Sequence, residues 1–283
     1  MKMWPLYLLF NKFLKAEEEN NQGPPGTYLN LVESYPFKLL LSKERSKNDT
    51  LCHSGSVEVP HINQQYTWDC GLACVLMVLR TLGINSGDIQ ELEGLCCTTS
   101  IWTVDLAYLL QKFSVKFSYF TVTFGANPNF LGETFYKDQL PSDLLRVDML
   151  FKKARDAGIN IECRSINGEE IASMVLSGNY IVIALIDQYI LSRSWIKDVC
   201  ISGIYDDCPG YTGHYVIICG YDAATDEFEI RDPASSSKHE RMTSRRLEEA
   251  RKAFGTDEDL LLISLEKEQK GSNPFGSLFP HNC

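Results

Sequence analysis

The chain has 283 residues, enough for one large domain or two small ones, and its 44% apolar content is that of a globular protein with a real core. Its formal net charge of −10 excludes a phosphate-backbone binder, since nucleic-acid affinity rests on clustered Lys and Arg, and any nucleotide would need a local basic pocket or a divalent cation. The ten cysteines are scattered, Cys96 and Cys97 are adjacent and no Cys-x-x-Cys pair exists, so they read as reduced thiols and not as a disulfide framework or a structural zinc site.

In chain order, Met1 to Phe10 is apolar but short, contains Pro5 and runs into acidic residues, which fits a packed segment and neither a signal peptide nor a membrane span. The expected compartment is the cytoplasm. Residues 1–55 read as an arm, rich in Asn, Glu, Pro, Gly and Ser after the first segment; 56–266 read as the catalytic domain and 267–283 as a polar tail. Asp69 to Gly83 carries apolar residues at helical spacing, with an acidic residue at its start and a glycine at its end. A second helix is predicted over 100–113, then an alternating strand over 115–124 and a turn over 125–129. Helices over 142–158 and 168–178 each lead into a strand, 159–163 and 180–186, and 187–212 reads as a long loop. Runs over 214–222 and 227–231, separated by Ala223-Ala224-Thr225-Asp226, predict a hairpin, and a last helix over 244–254 precedes a strand over 260–265. Leading helices and late hairpin-type connections favour an α+β fold.

The chemistry concentrates in Gln64-Gln65-Tyr66-Thr67-Trp68-Asp69-Cys70-Gly71-Leu72-Ala73-Cys74. Cys70 falls in the first turn of the predicted helix, where unpaired N–H groups and the positive dipole end favour thiolate over thiol. Gly71 leaves room for a substrate backbone, and Gln64 is placed to donate an amide hydrogen bond to a developing oxyanion. Of five histidines, only His214 opens a strongly apolar strand, which makes it the candidate base. Across the hairpin His214 faces a position within a residue or two of Asp232, so that carboxylate is the candidate orienter.

These segments resemble known families. Gln64 with Cys-Gly-Leu-Ala-Cys at 70–74, Gly-His-Tyr-Val-Ile-Ile-Cys-Gly-Tyr-Asp at 213–222 and Arg-Asp-Pro-Ala at 231–234 resemble the bacteriocin-processing double-glycine peptidases and, more remotely, papain. That likeness implies a papain-like cysteine-peptidase fold, a helix bearing Cys70 packed on an antiparallel sheet bearing His214 and Asp232. The whole span from Met3 to about Leu265 resembles the plant soluble guanylyl cyclases and the animal guanylyl-cyclase-domain proteins. The matching stretches are 59–64, 66–74, Ser-Ile-Trp-Thr-Val-Asp-Leu-Ala-Tyr-Leu at 100–109 and Phe-Gly-Thr-Asp-Glu-Asp at 254–259. That resemblance implies a soluble enzyme converting GTP to 3′,5′-cyclic GMP and pyrophosphate with Mg²⁺ or Mn²⁺.

The residues themselves favour a different chemistry. A nucleotidyl cyclase needs metal-binding carboxylates and basic groups for the departing pyrophosphate, and neither a phosphate-cradling glycine loop nor a strand-borne aspartate pair is visible. Lys112-Phe113-Ser114-Val115 partly fits a short cyclase search pattern, but Lys116 falls where an apolar residue is wanted and Lys112 reads rather as a solvated helix end; Asp257, Glu258 and Asp259 read as a surface acidic turn rather than a magnesium site. Three functions follow: a guanylyl cyclase by resemblance, a thiol hydrolase or peptidase acting on a peptide-like or acyl substrate through Cys70, His214, Asp232 and Gln64, and a binding module that keeps the fold without turnover.

Overall fold

The computed structural model describes residues 54–85, 87–137, 139–192 and 211–266. The arm except its last two residues, the tail and most of the 187–212 stretch lie outside them.

The elements run in order β1 (Ser54–Ser56), α1 (Cys70–Thr81), α2 (Ile89–Cys96), α3 (Thr103–Lys112), β2 (Phe117–Thr121), a 3₁₀ turn (Pro128–Gly132), α4 (Thr134–Lys137) and α5 (Leu140–Ala154). The second half holds β3 (Ile161–Cys163), α6 (Gly168–Leu176), β4 (Tyr180–Asp187), α7 (Gln188–Ser192), β5 (Gly213–Asp222), β6 (Glu227–Arg231), β7 (Glu240–Thr243), α8 (Ser244–Arg251) and β8 (Leu260–Ser264). The fold is α+β, as the order of elements predicts.

One sheet runs β3-β2-β8-β4-β5-β6-β7, antiparallel throughout except for the β2–β3 pair. β1 pairs with the far end of β5, matching Ser54 with Asp222, so Ser54 and Gly55 belong to the sheet and not to the arm. Alternation along the central strands splits the core in two. Ile181, Ile183, Leu185, Tyr215, Ile217 and Cys219 pack with α1, α3 and α5; Val182, Ala184, Ile186, Val216 and Ile218 pack with α6 and α8. Helices therefore cover both faces, and this explains why β4 and β5 read as continuous apolar runs.

α1 is buried from Cys70 to Leu79, which places it at the centre of the larger cluster. Its C-terminus is closed by a Schellman motif: Gly83, at φ +70°, donates to Arg80 O at 3.1 Å and Ile84 donates to Leu79 O at 2.9 Å. Gly83 supplies the left-handed residue that stops the helix, as the sequence predicts.

Candidate active site

Asp69 does not cap α1. Its carboxylate is buried and turns back onto the preceding loop, accepting from Gln65 N–H and Tyr66 N–H at 3.0 Å each, and no side chain caps the first turn. The positive end of the helix is thus left facing Cys70, its first residue, whose side chain is 5% exposed. Gly71 has a different use from the one its position suggests. A Cβ there would meet Leu106 Cδ1 and Tyr215 Cδ2, both at 3.0 Å, so the missing side chain lets α1 close onto α3 and β5; it does not make room for substrate.

His214 is the second residue of β5 and is 2% exposed. Its Nε2 is 2.7 Å from Asp232 Oδ1, and Cys70 lies near enough to act on its charge, so the three predicted residues come together. Burial pushes the imidazolium down. The hydrogen bond to Asp232, followed by the nearby Cys70, outweighs this and carries His214 up to about 9. For Asp232, burial acts upward but is overcome by the His214 hydrogen bond and charge, by Ala234 N–H and by His61, so its carboxyl is held below the usual range. Cys74, one turn behind Cys70, is pushed well up by burial, then by Cys70 and Asp232, and stays a neutral thiol.

The pairing of base and orienter differs in detail from a cross-strand pair. The β5–β6 ladder slips by one residue between Ile218 and Gly220 and ends at Ile217 opposite Arg231, so His214 and Asp232 both lie past its last pair and meet at the open end of the hairpin. Several residues without a sequence signal hold that end in place. His61 Nε2 donates to Asp232 O at 2.9 Å, and Ala234 N–H donates to Asp232 Oδ1 at 2.8 Å. Asn63 Nδ2 donates to Pro233 O and Ser235 O, and Gln64 N–H donates to Pro233 O at 3.0 Å. Arg231, 1% exposed, donates through Nε to Val59 O, and Asp187 Oδ1 accepts from Tyr189 N–H and Thr212 N–H just ahead of the base.

Gln64 lies in this frame with its amide turned onto its own loop. Nε2 donates to Tyr66 O at 2.7 Å, which uses one of its two protons, and Oε1 is buried without a partner. A groove of about 540 Å³ opens between this loop and the 233–234 turn, lined by Gln64, Tyr66, Trp68, Pro233 and Ala234, with the Tyr66 and Trp68 rings stacked at 5.9 Å.

The acidic run near the C-terminus is a turn at Asp257 and Glu258 whose last carboxylate goes inside. Asp259 is 6% exposed and accepts from Tyr119 Oη at 3.0 Å, while Asp257 and Glu258 adopt φ +48° and +52°. Burial, then the neighbouring Asp257, pushes the Asp259 carboxyl up, and burial does the same for Asp257. Among the described residues, no group of three or more His, Cys, Asp or Glu side chains is placed to hold a metal ion. Lys112 ends α3, as a solvated helix end should, at the mouth of a cavity of about 410 Å³ that also holds the Asp105 carboxylate. No described helix is long and apolar enough to cross a membrane.

Fold and site together define an α+β protein with a cysteine, histidine and aspartate assembled at the N-terminus of a buried helix. Residues 59–263 match the family model described as guanylylate cyclase. Over 266 residues the chain is 57% identical to guanylyl cyclase 1 of Arabidopsis thaliana, a match spanning 93% of this chain and 97% of that one. The chain belongs to the guanylylate cyclase family. Among solved structures it is similar to a C39-like peptidase from Bacillus anthracis, at 16% identity and TM-score 0.42 over 73% of this chain and 94% of that one. It is also similar to xylellain, a cysteine protease from Xylella fastidiosa, at 13% identity and TM-score 0.40 over 77% and 87%.

Proposed function

We propose that Cys70, His214 and Asp232 form a catalytic triad that cleaves a peptide-like or acyl substrate. The observation that carries this reading is the buried His214 imidazole, 2.7 Å from Asp232 Oδ1 and with Cys70 near enough to act on its charge. The Cys70 proton passes to His214, and the sulfur attacks the substrate carbonyl carbon. The oxyanion that forms takes hydrogen bonds from the Cys70 N–H and the remaining Gln64 amide proton. The His214 imidazolium then gives its proton to the leaving group as the carbon–leaving-group bond breaks, producing a thioester. Water, deprotonated by His214, hydrolyses the thioester to the free acid and restores the thiol.

A second reading, conversion of GTP to cyclic GMP and pyrophosphate with Mg²⁺ or Mn²⁺, is favoured by membership of the guanylylate cyclase family. The described residues present no metal-ligand cluster for it, so it would need a site other than the triad. Purified wild type and Cys70→Ala separate the two readings. A thiol-directed acylating probe is expected to label the wild type and not the variant. Cyclic GMP is followed in parallel by mass spectrometry, with and without Mg²⁺ or Mn²⁺. Metal-dependent cyclic GMP formation that survives Cys70→Ala, with no probe labelling of the wild type, would overturn the triad in favour of the cyclase.

A further inference from the structure

The groove beside Gln64 has two walls, and each is continuous with one side of the triad. One wall is the 64–68 loop, which leads through Asp69 into Cys70; the Asp69 carboxylate holds its shape by accepting from Gln65 N–H and Tyr66 N–H. The other is Pro233 and Ala234, which follow Asp232 directly, and Ala234 N–H donates to the Asp232 carboxylate at 2.8 Å. Gln64 N–H ties the walls together by donating to Pro233 O at 3.0 Å, and Asn63 Nδ2 donates to the same oxygen at 3.2 Å. The spacing of the walls is therefore set by the frame that holds the triad.

The lining has one chemical character. In a chain of net charge −10, none of the residues that line the groove is Asp, Glu, Lys, Arg or His. On the loop wall the Tyr66 and Trp68 rings lie parallel, 4° apart in plane, with Tyr66 54% exposed, and Pro233 and Ala234 form the opposite wall. A charged group would lose water here and gain no counter-charge, whereas an apolar group meets ring faces and hydrocarbon. In the proposed reaction His214 hands its proton to the leaving group, so that group departs on the imidazole side, where Asp232 runs into Pro233 and Ala234. We infer that the groove is the leaving-group subsite of the thiol centre and takes the residue after the cleaved bond of a peptide substrate, one with a large, uncharged, apolar side chain. The inference rests on the thiol reading of Cys70. Gln64 is both the oxyanion donor of that reading and part of the groove wall, so a side chain seated here holds its own amide nitrogen beside the reacting carbonyl.

The subsite that releases an amine must also bind an incoming one, because aminolysis of the thioester is the reverse of its formation. The test therefore acylates Cys70 of the full chain with p-nitrophenyl acetate and offers the amides of Phe, Leu, Gly, Asp and Lys in turn at equal concentration. The amine nitrogen attacks the acetyl carbon, its proton passes to His214, the carbon–sulfur bond breaks, and the Cys70 sulfur recovers the proton; water in place of the amine gives acetate. The ratio of N-acetyl amide to acetate is read by mass spectrometry after subtraction of the Cys70→Ala background, and acetyl-Cys70 by intact mass. Phe and Leu amides are expected to be captured roughly tenfold more than Gly, Asp and Lys amides, the gain of partly burying such a side chain in an open groove. Tyr66→Ala should flatten that preference, a ratio that does not depend on the fraction of protein folded. Equal capture across the panel, better capture of the Asp or Lys amide, no amide product, or a preference undiminished in Tyr66→Ala, while acetyl-Cys70 forms, would overturn the groove and leave the thiol reading standing. Failure of acetyl-Cys70 to form in folded wild type would overturn the thiol reading and the groove with it.

Discussion

Asp232 Oδ1 accepts from both His214 and Ala234 N–H, and its backbone carbonyl is held by His61, so the carboxylate cannot turn without giving up two bonds and its backbone is held as well. This fixes the charge on the imidazole as much as its position. His214 rises to about 9 in the folded protein from an ordinary value near 6.5, while Asp232 falls. The histidine therefore contributes stability that is fully present below its unfolded value and is lost as pH rises through about 9. The aspartate contributes stability present above its unfolded value and lost as pH falls through its lowered folded one. Thermal melts of wild type and His214→Ala at neutral pH and above pH 9 should show the wild type losing more on alkalinisation. In the same way, the alkaline limb of probe labelling is expected near pH 9 in the wild type and lower in Asp232→Asn, where the imidazolium loses its anionic partner. A limb unmoved by Asp232→Asn would show that the carboxylate does not set the base.

α1 and the hairpin do the positioning, and the tightest point between them is Gly71. Because Leu106 and Tyr215 stand 3.0 Å from where a Cβ would be, Gly71→Ala forces α1 away from α3 and β5. A cost of roughly 1–3 kcal/mol in denaturant unfolding is expected for this overpacking. A neutral result would mean that the helix yields freely at its N-terminal end. The elements that the sequence reveals are those whose periodicity survives burial, notably α1, α6 and the β5–β6 hairpin. α2 escaped notice because only Ile89 and Leu92 are buried, although Asp88 Oδ1 caps Glu91 N–H and signals its start. β7 is a polar edge strand with Met242 alone buried, so it carries no alternation to detect. Asp69 looked like a cap because an acid before a helix usually is one; its real partners are two backbone amides upstream.

At the scale of the molecule, a chain of net charge −10 also buries carboxylates, and among the described residues Asp259 is driven strongly toward neutrality by burial and by Asp257. Its folded value lies above its unfolded one, so the fold loses stability as pH rises between the two, and loses nothing on this account below the unfolded value. Asp259→Asn keeps the shape of the neutral acid and is expected to melt higher than wild type at pH 8, with the difference shrinking toward pH 4. A variant that melts lower at both would mean that the carboxylate is needed ionised. The sequence suggested a surface turn here because acidity on its own carries no sign of depth. Cys70, His214 and Asp232 were legible from local context, whereas His61 and Asn63 were not, because their role is to hold a backbone that local context does not reach.

The bonds from His61 and Asn63 to residues 232–235 join parts of the chain 170 to 172 residues apart, whereas His214 and Asp232 are separated by only 18. Closing the longer loop costs more entropy, so the contact between His214 and Asp232 carries the smaller closure cost and the bonds that tie residues 61–63 to it the larger. During synthesis Cys70 emerges long before His214. A growing chain thus carries the Cys70 thiol before the imidazole it meets in the fold, and on the triad reading the thiol gains its base only once both ends of the domain are joined.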